Sequence, residues 1–209
     1  MMRAFIVLMP VVVAVGFSAW TAIGPNGGPI YSGGIATADP PTIYLAPYAS
    51  PANLVKSTNG GESWFFTSGQ IPTYPQNILV HPSDPEVVYA LTGAALYKTT
   101  NGGASWSVYS LPSSNYFRAL RFNPLNPEVL YAVGYNYAGS VYRTVLARSI
   151  NAGVNWQVFF CDTAAPSYGY SLAVDPIDTN VIYVGGYRGI GATTLHRSSD
   201  CGDTLCHHQ

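Results

Sequence analysis

The chain has ten carboxylate side chains, and two of them lying roughly 5–10 Å apart would suffice for the acid and base of a glycoside hydrolase. Nine fall in two kinds of turn that recur along the sequence: Asp39, Asp84, Glu86, Glu128, Asp175 and Asp178 in proline-containing turns, and Glu62, Asp200 and Asp203 in a second motif. Asp162 alone stands outside these turns. A single unassigned carboxylate is not a pair, so the sequence predicts no catalytic residue in this chain.

Basic and sulfur-containing side chains give no complete site either. Four arginines lie outside the repeated positions: Arg118, Arg121, Arg143 and Arg188. They could face a central channel, but we interpret them as surface or loop residues. No Ser-His-Asp order or phosphate loop appears. Cys201, Cys206, His207 and His208 crowd against the chain end without a second spaced cluster, so we predict no metal and no cofactor. With Cys161, the three cysteines allow one disulfide at most.

Tyrosine is the residue type best suited to binding, and the chain has 16. Exposed aromatic rings stack against sugars or anchor protein partners. The competing interpretation is that they fill the packing between repeats. Our candidate binding residues lie in loops and at strand ends outside the repeated positions: Tyr135, Tyr137, Tyr168, Tyr170 and Tyr187.

One turn motif occurs four times, starting at residues 57, 99, 149 and 198. Its pattern is Ser/Thr-x-Asn/Asp-x-Gly-x-Ser/Thr/Asn-Trp, with Leu205 replacing the last Trp. The Asn or Asp side chain binds nearby backbone N–H groups, the glycine supplies positive φ, and the tryptophan packs between repeats. We expect a structural role for Ser57, Asn59, Gly61, Trp64, Thr99, Asn101, Gly103, Trp106, Ser149, Asn151, Gly153, Trp156, Ser198, Asp200 and Gly202.

Each repeat also contains a proline turn between two apolar strands, as in His81-Pro82 followed by the strand that ends near Tyr89. A third strand ends in Lys or Arg before the turn motif, and a fourth starts at its tryptophan. Four short antiparallel strands in each interval of 42 to 50 residues are typical of a propeller blade. The sequence therefore predicts an all-β fold, a β-propeller of four-stranded antiparallel blades with four blades visible.

The motif resembles the Asp-box, or bacterial neuraminidase (BNR), repeat of sialidases, xyloglucanases, sortilin-type receptors and photosystem II assembly-factor propellers. The resemblance covers residues 20 to 205, with Asn for Asp in three boxes and Ala152 for the commoner glycine in the third. It implies that the boxes lie away from the central site. A sialidase would carry its first substrate-binding arginine before the first box, but residues 20–56 contain none.

Residues 1–19 read as a signal peptide, because a basic start is followed by a short apolar run. We expect blades at about 20–68, 69–110, 111–160 and 161–205, and a tail at 206–209. The sequence shows no fourth strand for the last blade, and the segment Trp20–Ile23 is our candidate for completing it. We expect the chain to be the N-terminal part of a larger propeller; the alternative is a four-bladed ring.

Charged residues make up only 9% of the chain and the net charge is −1, so we expect no nucleic-acid partner and no membrane span after signal-peptide removal. We expect an exported, secreted or cell-surface binding or scaffolding module for glycans or extracellular proteins. The alternative is a fragment of a BNR-type glycoside hydrolase, sialidase-like or xyloglucanase-like. An assembly factor resembling the photosystem II propeller would need a basic patch, which nine Lys and Arg residues do not visibly supply.

Overall fold

The computed structural model describes residues 24–25, 28–37, 39–112, 115–138, 140–161, 166–187, 193–202 and 206–208. They form four sheets of four strands each, and within each sheet the strands are hydrogen-bonded in chain order. All neighbouring strands are antiparallel. Each sheet is one blade, so the predicted all-β propeller architecture is confirmed.

The strands are as follows. The first blade contains β1 (Ile30–Ala36), β2 (Thr42–Pro47), β3 (Ala52–Ser57) and β4 (Phe65–Ile71). The second contains β5 (Asn77–Val80), β6 (Val88–Leu91), β7 (Ala95–Thr99) and β8 (Ser107–Ser110). The third contains β9 (Asn115–Asn123), β10 (Asn126–Ala138), β11 (Val141–Ser149) and β12 (Gln157–Phe160). The fourth contains β13 (Tyr168–Val174), β14 (Ile182–Tyr187), β15 (Thr193–Ser198) and β16 (Cys206–His208).

The turn motif between the third and fourth strands satisfies its own polar groups. In the first copy, Ser57 Oγ accepts a bond from the Gly61 amide at 2.9 Å and donates to Asn59 Oδ1 at 2.9 Å. Asn59 Oδ1 also accepts from the Ser63 amide at 2.9 Å. The bond from the fifth-position amide to the first-position hydroxyl is present in all four copies. These side chains therefore hold a turn rather than a ligand.

The fourth and fifth positions of the motif both adopt left-handed backbone conformations. Gly60 and Gly61 have φ of 69° and 96°, which glycine adopts at no steric cost. In the third and fourth copies the fourth position is not glycine, and Ala152 and Cys201 have φ of 54° and 60°. The turn geometry thus overrides the preference of these two residues for negative φ.

A separate apolar core lies between each pair of neighbouring blades. The second strand of each of the first three blades contributes a fully buried tyrosine: Tyr44, Tyr89 and Tyr131. Polar bonds add to this packing, because Lys56 Nζ pairs with Glu86 Oε1 at 2.5 Å and Arg148 Nη1 donates to the Cys201 carbonyl at 3.1 Å. The basic residue before the turn motif therefore joins one blade to the next.

The blades follow one another in chain order, with β1 against β5, β5 against β9 and β9 against β13. Among the described residues, no extensive contact joins the first blade to the fourth. The four blades therefore form an open arc.

The end of the chain differs from the sequence-based expectation. Residues 206–208 are not a tail: they form β16, the fourth strand of the last blade, with Arg197 opposite Cys206 and Leu195 opposite His208. Backbone hydrogen bonds need no particular side chain, so this strand carries no repeat signature in the sequence. The signal peptide, Trp20–Ile23 and Leu205 lie outside the described residues. Within the described ranges, no helix is long and apolar enough to cross a bilayer.

Candidate functional site

The topology gives every blade two different edges. At one, which we call the box edge, the first strand turns into the second and the turn motif joins the third strand to the fourth. At the other, the second strand ends and the third begins. In the third and fourth blades this opposite edge carries seven tyrosines, and we call it the tyrosine edge: Tyr116, Tyr135, Tyr137, Tyr142, Tyr168, Tyr170 and Tyr187.

The first strands reach this edge through β-bulges. In β9, Phe117 and Ala119 pair with consecutive residues of β10, so Arg118 is the unpaired extra residue. Tyr170 is the corresponding unpaired residue of β13, and Tyr31 is that of β1. A bulge changes the direction of a side chain. Three blades therefore use one repeated irregularity to present a large side chain near the start of the first strand.

The tyrosine rings form one continuous cluster. The Tyr135 ring lies 5.5 Å from Tyr116 and 5.3 Å from Tyr168, measured between ring centroids. Tyr168 is stacked on Tyr142 at 4.4 Å, and Tyr142 lies 4.5 Å from Tyr137.

The remaining two tyrosines extend this cluster. Tyr170 and Tyr187 lie 6.3 Å and 6.2 Å from Tyr168. The structure thus brings all five sequence-predicted tyrosines together, three of them exposed and two half-buried.

Small residues allow the third and fourth blades to approach closely at this edge. A Cβ atom on Gly169 would lie 2.6 Å from the carbonyl oxygen of Gly134, across the blade boundary. The Ser167 hydroxyl accepts a bond from the Thr144 amide of the third blade at 3.0 Å. This close contact places the Tyr168 ring against Tyr135 and Tyr142.

Arg118 is the cation of the cluster. Its guanidinium carbon lies 4.8 Å from the Tyr116 ring centroid, 5.9 Å from that of Tyr135 and 5.7 Å from that of Tyr170, distances typical of cation–π contacts. Burial disfavours its charge, but the contact with Tyr135 and the surrounding tyrosines outweigh this effect and raise the pKa of Arg118. The side chain therefore stays charged, and its Nε is buried without a hydrogen-bond partner among the described residues.

The second blade contributes a polar residue at the corresponding place. Gln76 precedes β5 and aligns with Arg118 in the register of the first strands, since Asn77 pairs with Leu91 as Ala119 pairs with Val133. Its Nε2 donates a hydrogen bond to the Tyr116 hydroxyl. At the same edge of the first blade, Tyr31 and Tyr48 lie close to Tyr74. Aromatic side chains thus occur at this edge along the whole arc.

The described carboxylates lie at the opposite edge. Asp39, Asp84, Glu86, Glu128, Asp175 and Asp178 are in or beside the turn from first to second strand, and Glu62 and Asp200 are in the turn motif. Asp162 and Asp203 lie outside the described residues. In the part of the chain that the structure describes, no three His, Cys, Asp or Glu side chains group as metal ligands.

The structure corrects one sequence-based interpretation and adds residues that the sequence did not reveal. Arg118 is not a loop residue, because it lies half-buried in β9 with its guanidinium carbon within 6 Å of three tyrosine ring centroids. Tyr116, Tyr142 and Gln76 also belong to the site. An alignment of the first strands of the blades places Gln76 at the position equivalent to Arg118. No repeated sequence feature marks Tyr142 as a site residue. Arg188 lies outside the described residues.

Comparison with solved structures supports the fold. The chain resembles an ancestral GH74 enzyme at 23% identity and a TM-score of 0.66, covering 91% of this chain and 25% of that one. It resembles YCF48 bound to D1 peptide at 17% identity and a TM-score of 0.54, covering 79% and 49%. The α-L-arabinofuranosidase Arb93A from Fusarium graminearum, in complex with an iminosugar inhibitor, gives 14% identity and a TM-score of 0.52, covering 86% and 66%.

At these identities the likeness concerns the fold alone, and the chain spans about a quarter to two thirds of the length of these structures. Comparison with curated protein sequences gives no match. The family model described as "Sortilin, neurotensin receptor 3" matches residues 52–200, well over half of the chain. The chain is therefore a member of the Sortilin-Vps10 family, with the Asp-box repeats of that class of propeller.

Proposed function

We propose that this propeller is an exported, non-catalytic binding module that holds glycans on its tyrosine edge. One observation carries the proposal: seven tyrosines and a charged arginine meet at the edge of the third and fourth blades, and every described carboxylate lies at the other edge. Aromatic rings with hydroxyl groups offer both stacking and hydrogen bonds to a sugar. The arginine adds donors without an acid or base.

The arrangement of the rings suits an extended ligand. Tyr137, Tyr170 and Tyr187 are exposed, whereas Tyr135 and Tyr168 are half-buried. The Tyr168 ring adjoins those of Tyr170 and Tyr187. Rings fixed by their neighbours lose little conformational entropy when a ligand binds. A chain of sugar residues could therefore contact several rings in succession, and an isolated monosaccharide only one.

The experiment is a binding measurement with xyloglucan and arabinan by affinity electrophoresis, repeated calorimetrically with oligosaccharides of the polymer that binds. We expect Tyr170→Ala and Tyr137→Ala each to weaken binding roughly tenfold, as loss of an aromatic anchor does. Phe66→Ala is the matched control, because Phe66 is an exposed aromatic residue on the outer strand of the first blade. Equal losses in the control, or no binding of either polymer, would contradict the proposal.

The alternative function is glycoside hydrolysis, which requires two carboxylates near the bound sugar. The same protein incubated with both polymers tests it directly. Release of reducing ends that Tyr170→Ala abolishes would favour the hydrolase. Binding without product formation favours the module proposed above.

A further inference from the structure

The charge of Arg118 has no counter-ion in the part of the chain that the structure describes. The ion pair found there joins Lys56 to Glu86 at the box edge, where every other described carboxylate also lies. Arg118 is nevertheless half-buried, and charges withdrawn from water are usually paired with an opposite charge. Arg143, opposite Asn136 in register, adds a second cation at the tyrosine edge. The described residues therefore give this edge a positive charge.

Two tyrosine hydroxyls beside Arg118 are placed to donate hydrogen bonds. The Tyr116 hydroxyl accepts a bond from Gln76 Nε2. The Tyr135 hydroxyl interacts with the Arg118 guanidinium, which has five N–H donors and no acceptor. Each oxygen thus already faces a donor, and neither hydroxyl proton meets an acceptor among the described residues. Both protons are available to a ligand.

The acceptor nearest to these donors is enclosed. Gln76 Oε1 is buried, and so is Arg118 Nε. A ligand therefore reaches this arginine through its terminal Nη1 and Nη2 groups. The groups offered next to Arg118 are predominantly donors, which suits a carboxylate because an ionised carboxylate only accepts hydrogen bonds. A sugar hydroxyl, which donates as well as accepts, uses such a set of donors less well.

We propose, on the basis of the glycan-binding function above, that the ligand is an acidic glycan and that Arg118 binds the carboxylate of one of its uronic acid residues. The two groups match in shape, since two parallel N–H groups of a guanidinium meet the two oxygens of a carboxylate. Tyr116 and Tyr135 donate to the same carboxylate. The exposed Tyr170 ring, 5.7 Å from the guanidinium carbon, is close enough to contact the sugar that carries it.

Calorimetric titration of the full chain with oligogalacturonate, and with the methyl ester of the same oligomer, tests the proposal. The ester keeps every sugar ring and removes the negative charge, so it binds through the tyrosine rings alone. We expect the acid to bind at least about tenfold more tightly than the ester, because charge-assisted hydrogen bonds are the stronger ones.

Arg118→Gln should bring the two affinities to within about twofold of each other, because the amide has no charge. Arg121→Gln is the matched control, since Arg121 is exposed in the same strand and its loss should leave the preference for the acid unchanged. An acid preference that survives in Arg118→Gln would overturn the assignment of this residue.

Two milder variants separate carboxylate binding from a structural role of Arg118. Arg118→Lys keeps the charge and loses the planar pair of donors, and Tyr116→Phe keeps the ring and loses one donor. We expect each to lower the preference for the acid about threefold, with melting temperatures close to wild type. An unchanged preference in both variants would contradict the proposed set of donors.

The remaining outcomes distinguish this proposal from the function on which it rests. Equal binding of acid and ester by the wild-type chain would overturn the acidic ligand and leave glycan binding in place. Failure of both oligomers, and of xyloglucan and arabinan, to bind would contradict both proposals. Dextran sulfate of the same length tests whether any polyanion suffices, and binding as tight as that of oligogalacturonate would refute recognition of the carboxylate.

Discussion

Arg118 and Tyr170 occupy the same bulged position in successive blades, and the Arg118 guanidinium carbon lies 5.7 Å from the centre of the Tyr170 ring. A bulge at one position of a repeat therefore produces a contact between repeats. Tyr31 occupies the bulged position in the first blade. The same backbone irregularity thus carries a different side chain in different blades. At the opposite edge, carbonyl groups of two turn motifs accept hydrogen bonds from the preceding blade. The side chain at the bulge, by contrast, differs from blade to blade.

Arg118→Met should lower the free energy of unfolding by about 1–2 kcal/mol, because it removes a partly desolvated charge from three aromatic rings and keeps most of the aliphatic stem. Arg121→Met is the matched control in the same strand and should change it by less than about 0.5 kcal/mol. Urea denaturation of both variants measures the difference. Equal effects would indicate that Arg118 only fills space.

Asn151→Ala should destabilise the protein by about 1–3 kcal/mol, because one backbone amide and one hydroxyl group would lose their hydrogen-bond acceptor. Asn151 Oδ1 accepts from the Asn155 amide at 2.8 Å and from the Ser149 hydroxyl at 3.0 Å. Asn151→Asp keeps both acceptor interactions, and Asp200 fills this position in the fourth motif. We expect the Asp variant to melt close to wild type in differential scanning calorimetry, and the Ala variant well below it.

The structure separates what the sequence could predict here from what it could not. Ser57, Asn59 and Gly61 make bonds within one turn, so their pattern identifies the turn from local chemistry. The tyrosine cluster depends on strand register and on the close approach of Gly169 to Gly134, which are properties of the packed blades. The sequence therefore predicted which tyrosines to consider, and could not predict that an arginine would lie among them.

Ala152→Gly should stabilise the protein by roughly 0.5–1 kcal/mol. Ala152 has a φ of 54°, and relief of left-handed strain worth about 1–2 kcal/mol is partly offset by the greater entropy that glycine loses on folding. Gly153→Ala is the opposite test: its φ is 88°, and a Cβ there would lie 2.6 Å from Leu96 Cδ2. We expect its urea midpoint to fall while that of Ala152→Gly rises. A fall in both would mean that Ala152 is not strained.

Alkaline pH should unfold the protein through its buried tyrosines. Burial raises the pKa of Tyr131 to about 12, against roughly 10 in an unfolded chain. Between these values the unfolded state has released the proton and the folded state still holds it, so the free energy of unfolding falls as pH rises. Tyr131 contributes its full stabilisation of the folded state below about pH 10. By pH 12 its titration alone lowers the free energy of unfolding by about 2–3 kcal/mol.

Tyr131→Phe should therefore flatten the dependence of unfolding free energy on pH between about 10 and 12, because phenylalanine has no proton to release. Wild-type protein measured under the same conditions is the reference for this slope. Burial lowers the pKa of Lys56, but its bonds to Glu86 and Tyr44 outweigh this effect and raise it. Lys56 therefore also contributes to the pH dependence, and only the difference between the slopes of wild type and Tyr131→Phe reports on Tyr131. Urea titrations at pH 9, 10 and 11 measure that difference, and equal slopes would refute the assignment.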